Sequence, residues 1–112
     1  MKTANDIIPA HATHPGELLA DELEARQLTQ QAIAQQMGVS QAIISQLLHR
    51  KRRVSLEMAL RLETALDISA ELWLNLQRQY DHVTAYHHAQ KSLQKLAIPE
   101  ARQNALLEAI LG

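Results

Sequence analysis

The sequence predicts an all-α fold: five helices, the second and third short and closely joined, with an additional C-terminal helical segment. Three observations carry this expectation. The 112 residues are 46% apolar yet include only three aromatics and no phenylalanine, so Leu, Ile, Ala and Met must fill the core, as suits helices. Only three glycines and three prolines interrupt the chain. The segment Leu28 to Arg53, LTQQAIAQQMGVSQAIISQLLHRKRR, reads as a helix, a glycine turn, a second helix and four consecutive basic residues.

His14-Pro15-Gly16-Glu17 opens the first helix, with proline near its start and acids in its first turns, and the helix ends near Gln27. Leu19 and Leu23 supply its buried face. Thr29 is placed to cap the second helix, Ala34 is small where two helices must approach, and Gly38 suits a turn with positive φ. Ser40 caps the third helix, in which Ile44, Leu47 and Leu48 form an inward i, i+3, i+4 stripe. Its outward residues are Gln41, Ala42, Ile43, Ser45, Gln46 and His49. They are mostly short or amide-bearing, as a helix lying in a DNA major groove requires.

Ser55 caps a fourth helix whose Ala59, Leu62 and Leu66 recur at helical spacing. Ser69 caps a fifth, with Glu71 at its positive end and Trp73, Leu76, Tyr80 and Val83 as one stripe. Nothing breaks this helix at His88, so it can continue through AQKSLQKL. Leu74, beside the stripe, is a candidate dimer seam. Ile98-Pro99-Glu100 marks a break before a short amphipathic helix, ARQNALLEAIL. The expected organisation is a mobile N-terminal arm over 1–13, a helix-turn-helix domain over 14–88 and a C-terminal helical extension over 89–112.

Charge is segregated although the net value is only −1. Residues 1–28 carry two bases against five acids, 29–53 carry four bases and no acid, and 54–112 carry five bases against seven acids. The only strongly positive segment therefore coincides with the helix-turn-helix. That is the electrostatic footprint of phosphate binding rather than of a helix end complementing its own dipole. Glutamine can pair through both ends of its amide with the N6/N7 edge of adenine, which makes Gln41 and Gln46 candidate base readers. Ala42 and Ile43 can touch thymine methyls, and Ile43 can equally complete the core.

Other chemistries find little support. With no cysteine there is neither a disulfide nor a thiolate zinc site. His82 and His87 are spaced i, i+5 and share no helix face well, so His82, His87 and His88 do not suggest a metal centre. No HExxH, glycine-rich phosphate loop or serine elbow is present, so neither an enzyme nor a cofactor is expected. Trp73 reads as a core anchor rather than a ligand platform, since it lies on the stripe of Leu76 and Tyr80. Asp21, Glu22 and Glu24 read as a solvated acidic face. The N-terminus MKTANDIIPA lacks the apolar run of a signal peptide and no segment is long enough to span a bilayer, so a cytoplasmic, non-membrane protein is expected.

From His14 to about Asp81 the chain resembles the HigA-type antitoxins of the lambda-repressor-like (XRE) helix-turn-helix family. The resemblance rests on His14-Pro15-Gly16-Glu17, Ala59-Leu60-Arg61-Leu62, Leu72-Trp73-Leu74-Asn75-Leu76-Gln77 and Tyr80-Asp81, together with the helix-turn-helix. It implies a homodimer that binds double-stranded operator DNA, represses its own operon and neutralises a HigB-type ribonuclease toxin. A stand-alone regulator with no toxin is the alternative. The resemblance further implies a phosphate anchor at Gln30, base reading by Gln41, Ala42 and Gln46, and backbone contacts by Lys51 and Arg53. The expected interface is therefore Gln30, Ser40, Gln41, Ala42, Ile43, Ser45, Gln46, His49, Arg50, Lys51 and Arg53. Many relatives place glycine where this chain has Arg50. Either Arg50 takes a left-handed conformation at modest cost, or the helix ends differently.

Overall fold

A computed structural model describes residues 8–111, the last without its side chain, and every regular element among them is a helix. The elements are α1 (Pro15–Arg26), α2 (Gln30–Met37), α3 (Gln41–Leu48), α4 (Leu56–Leu66), α5 (Ala70–Lys95) and α6 (Glu100–Leu111). Among the described residues, contacts divide the chain into two compact units, residues 13–78 and a second formed by residues 8–12 together with residues 79–111. The division falls inside α5, ten residues before the boundary expected at residue 88.

In the first unit, α3 packs against both α1 and α2, and α2 packs against α4. Leu19, Ile33, Ile44, Leu47, Leu62, Leu66 and Trp73 are essentially inaccessible and belong to one apolar cluster, which fixes the mutual placement of these short helices. Eight-residue helices are marginal in isolation, so tertiary packing and end capping must hold α2 and α3. Thr29 Oγ1 accepts from Ala32 N, Ser40 Oγ from Ile43 N and Ser55 Oγ from Met58 N, each as the sequence suggests. Ser69 Oγ likewise accepts from Leu72 N.

Three further helix-end groups are satisfied by side chains from other parts of the chain. Arg26 Nη2 donates to the Leu66 carbonyl at the end of α4 (2.7 Å), and Arg61 Nη1 to the Met37 carbonyl at the end of α2 (2.7 Å). Glu63 Oε2 accepts from Ala70 N at the start of α5 (2.6 Å). Trp73 is fully buried and donates from Nε1 to Ile68 O.

The stripe expected on α5 is not buried throughout, and Tyr80 is only half-buried. Trp73 and Val83 are buried, but Leu76 is only half-buried and the neighbouring Gln77 is buried instead. Its Oε1 accepts from the Val54 backbone N–H at 2.9 Å, so a polar side chain belongs inside because a buried backbone donor needs it. Leu74, expected as a seam, is half-buried and packs on the core cluster, whereas Leu72 is exposed.

In the second unit Tyr86 and Leu107 are buried with Ile8, Ala89 and Leu93 packed against them. Of the segment 1–13 expected as a mobile arm, residues 1–7 lie outside the described residues. Ile8 belongs to this small cluster, and the Pro9 carbonyl accepts from His87 Nε2 at 2.8 Å. Among the described residues no helix is long and apolar enough to cross a membrane, and no three His, Asp or Glu side chains converge as a metal site would need.

Candidate nucleic-acid interface

α3 is positioned from both of its ends. At its start, Gly38 takes φ 70° and its N–H bonds Gln35 O, closing α2 so that Ser40 can cap α3 three residues after Met37, the last residue of α2. At its end, Arg50 N bonds Leu47 O and Lys51 N bonds Gln46 O, the paired hydrogen bonds that close a helix through a left-handed residue. That residue is Arg50, at φ 60°. Of the two outcomes the sequence left open, the helix therefore ends as a glycine-terminated one would, with arginine in the strained position. Arg50 Nη2 lies 3.3 Å from Glu17 Oε1 on α1, and Glu17 Oε2 accepts from His14 N. Glu17 thus joins the N-terminal cap of α1 to the C-terminal turn of α3.

The opening turn of α1 is built against that same end. His14 is buried, its Nδ1 accepts from Gly16 N at 2.9 Å, and an added Cβ on Gly16 would overlap the carbonyl oxygen of Leu47. Glycine at residue 16 is required by close approach of two backbones, a role that spacing and composition did not reveal.

With its core stripe inward, α3 presents Gln41, Ala42, Gln46 and His49 as exposed residues. Lys51, Arg52 and Arg53 follow, all exposed. Gln30, the first residue of α2, is half-buried. Three of the expected site residues are partly committed elsewhere. Ser40 Oγ serves the cap, Ile43 is half-buried and packs on the core, and Arg50 pairs with Glu17. Ser45 is half-buried, and its carbonyl accepts from His49 Nδ1 at 2.7 Å, which folds the imidazole back on its own helix. Arg52, given no role by the sequence, donates from Nε to Gln46 Oε1 at 2.8 Å. The arrangement is an amide-rich helix face continuous with three exposed cations, on a segment of 25 residues without an acid.

A fold of this kind, with α2 and α3 joined through Gly38, defines a helix-turn-helix protein. The helix-turn-helix family profile matches residues 19–73. The chain is 37% identical over 71 residues to virulence-associated protein I of Dichelobacter nodosus, across 62% of this chain and 66% of that protein. It thus spans about two thirds of the length of the curated relatives it matches. Among solved structures, the Pseudomonas aeruginosa antitoxin HigA with the higBA promoter is 35% identical, with TM-score 0.69 over 76% of this chain and 94% of that one. An addiction module antidote protein of a HigA family from Coxiella burnetii is 30% identical, with TM-score 0.69 over 80% and 98%. The chain belongs to the HigA-type branch of the lambda-repressor-like helix-turn-helix family.

Proposed function

We propose that this protein is a sequence-specific DNA-binding antitoxin that represses its own operon and neutralises a HigB-type ribonuclease. The observation that carries the DNA half is the exposed face of α3, which presents Gln41 and Gln46 beside Lys51, Arg52 and Arg53. Short amides can reach base edges while Lys51 and Arg53 contact phosphates. The similarity to a HigA solved with its promoter supports the same reading. One helix-turn-helix covers little DNA, so the protein acts as a twofold dimer on half-sites about 34 Å apart.

Gln41→Ala should lose about 1–3 kcal/mol on the operator and much less on random DNA. Equal losses on both, in fluorescence anisotropy titrations, would mean that Gln41 does not read sequence. Lys51→Ala should weaken binding to all DNAs alike and flatten the slope of log affinity against log salt by about 0.9. An unchanged slope would place the ammonium in solvent.

The toxin half rests on the family and on charge. Outside the positive segment the chain is acidic, and Asp21 and Glu24 lie exposed on α1, which favours encounter with a basic protein. An alternative contact is the amphipathic C-terminal end around Leu106, Leu107 and Ile110, of which Leu107 is buried in the second unit's own core, Leu106 is half-buried and Ile110 is exposed. Co-expression with the product of the adjacent reading frame, scored by growth and co-purification, tests the pairing. A harmless neighbour that does not co-purify favours the stand-alone regulator.

A further inference from the structure

Arg52 reaches from the turn after α3 back onto the exposed face of that helix, where its Nε donates to Gln46 Oε1 at 2.8 Å. A guanidinium holds only donors, so the amide atom facing it is the oxygen. This fixes the direction of the Gln46 amide. Its carbonyl oxygen accepts from a cation through one of its two lone pairs, and its NH2 group points away from that cation. The remaining N–H groups of Arg52 are donors as well, so the pair offers mainly hydrogen atoms to a ligand, its one remaining acceptor site being the second lone pair of Oε1, beside the positive charge.

We propose that Arg52 is a positioning residue that makes Gln46 a reader of guanine rather than adenine. The inference rests on the DNA-binding reading above and deepens it. A glutamine free to turn matches adenine through both ends of its amide, the oxygen accepting from N6 and the nitrogen donating to N7. With a guanidinium donating to one lone pair of Oε1, the N6 amino group of adenine, itself a donor with a partial positive charge, would have to approach the second lone pair beside a full positive charge. Guanine presents two acceptors, N7 and O6, on its major-groove edge. Cytosine presents a donor, and thymine a single acceptor beside a methyl group. The predominantly donating Gln46–Arg52 pair is complementary to guanine. Gln41 is not bonded in this way to any residue of the basic run, so the two glutamines of one helix face read different bases.

The test is selection of binding sites by the full chain from a randomised DNA library, comparing the unaltered protein with Gln46→Ala, Arg52→Ala and the double variant. Both side chains are exposed, and circular dichroism checks that each variant keeps its helices. The unaltered protein should enrich guanine over adenine by about tenfold at one position of each half-site, the position that Gln46→Ala relaxes. Arg52→Ala should bring that ratio to near one or invert it, with preferences elsewhere in the site unchanged. The double variant should lose no more selectivity at that position than Gln46→Ala alone. The proposal is overturned if the unaltered protein selects adenine there, or if Arg52→Ala lowers affinity for every DNA equally and leaves the ratio intact. Failure of the DNA-binding reading itself looks different: the unaltered protein then enriches no sequence at all.

Discussion

Replacing Trp73 with alanine is expected to cost about 3–5 kcal/mol of unfolding free energy, the usual range for emptying a buried tryptophan site. The indole is fully buried in the cluster that holds α1 to α4 together, and its Nε1 donates to Ile68 O at 3.2 Å. Alanine would therefore leave both a cavity and a carbonyl without its donor, in the turn that follows the left-handed Asp67. A domain of this size commonly has only about 5–15 kcal/mol in total, so a large part of the fold's margin would go. Urea unfolding followed by circular dichroism measures the loss. DNA binding and any toxin neutralisation should fall together, because the damage is to the frame. Trp73→Phe, which keeps most of the ring volume and removes only the N–H, should lose distinctly less. A Trp73→Ala protein of unchanged stability that had lost a single activity would make the indole a ligand surface, against its burial.

What could be read from the sequence was what is local in it. Thr29, Ser40 and Ser55 were legible as caps because a cap is made with a backbone N–H three residues away. Ile44 and Leu47 were legible because helical spacing alone puts them on one face. The failures share the opposite property. Gln77 replaces Leu76 in the interior to serve the N–H of Val54, twenty-three residues earlier, and no periodicity encodes such a debt. Arg26 on Leu66 and Arg61 on Met37 are similarly remote. In the site, exposure of Gln41 and Gln46 was legible, whereas the contacts of Arg50 with Glu17 and Arg52 with Gln46 depend on where the turn after α3 carries the chain.

The second large effect is expected at Gly16, and its sign is what makes it informative. In an ordinary helix interior, alanine is favoured over glycine by about 0.8–1.0 kcal/mol, so Gly16→Ala on propensity alone would stabilise α1. The structure dictates the reverse. The new Cβ would overlap the Leu47 carbonyl oxygen and lie 2.9 Å from the carbonyl carbon, both backbone atoms that no rotamer change can move aside. Either α1 or the last turn of α3 must shift, at an overpacking cost of about 1–3 kcal/mol or more. The shift would act on the part of α3 that carries Gln46 and leads into Lys51, so affinity for the operator should fall further than the lost stability explains. Urea unfolding and anisotropy titrations on the same preparation separate the two effects. Arg50→Gly is the stability control: it suits the left-handed conformation at φ 60° and removes the ion pair with Glu17 together with one cation of the basic segment, so its unfolding free energy should not show the same loss if backbone overlap is the cause. A Gly16→Ala protein at least as stable as the original, and binding as tightly, would mean that the first turn of α1 does not set the position of the DNA-facing helix.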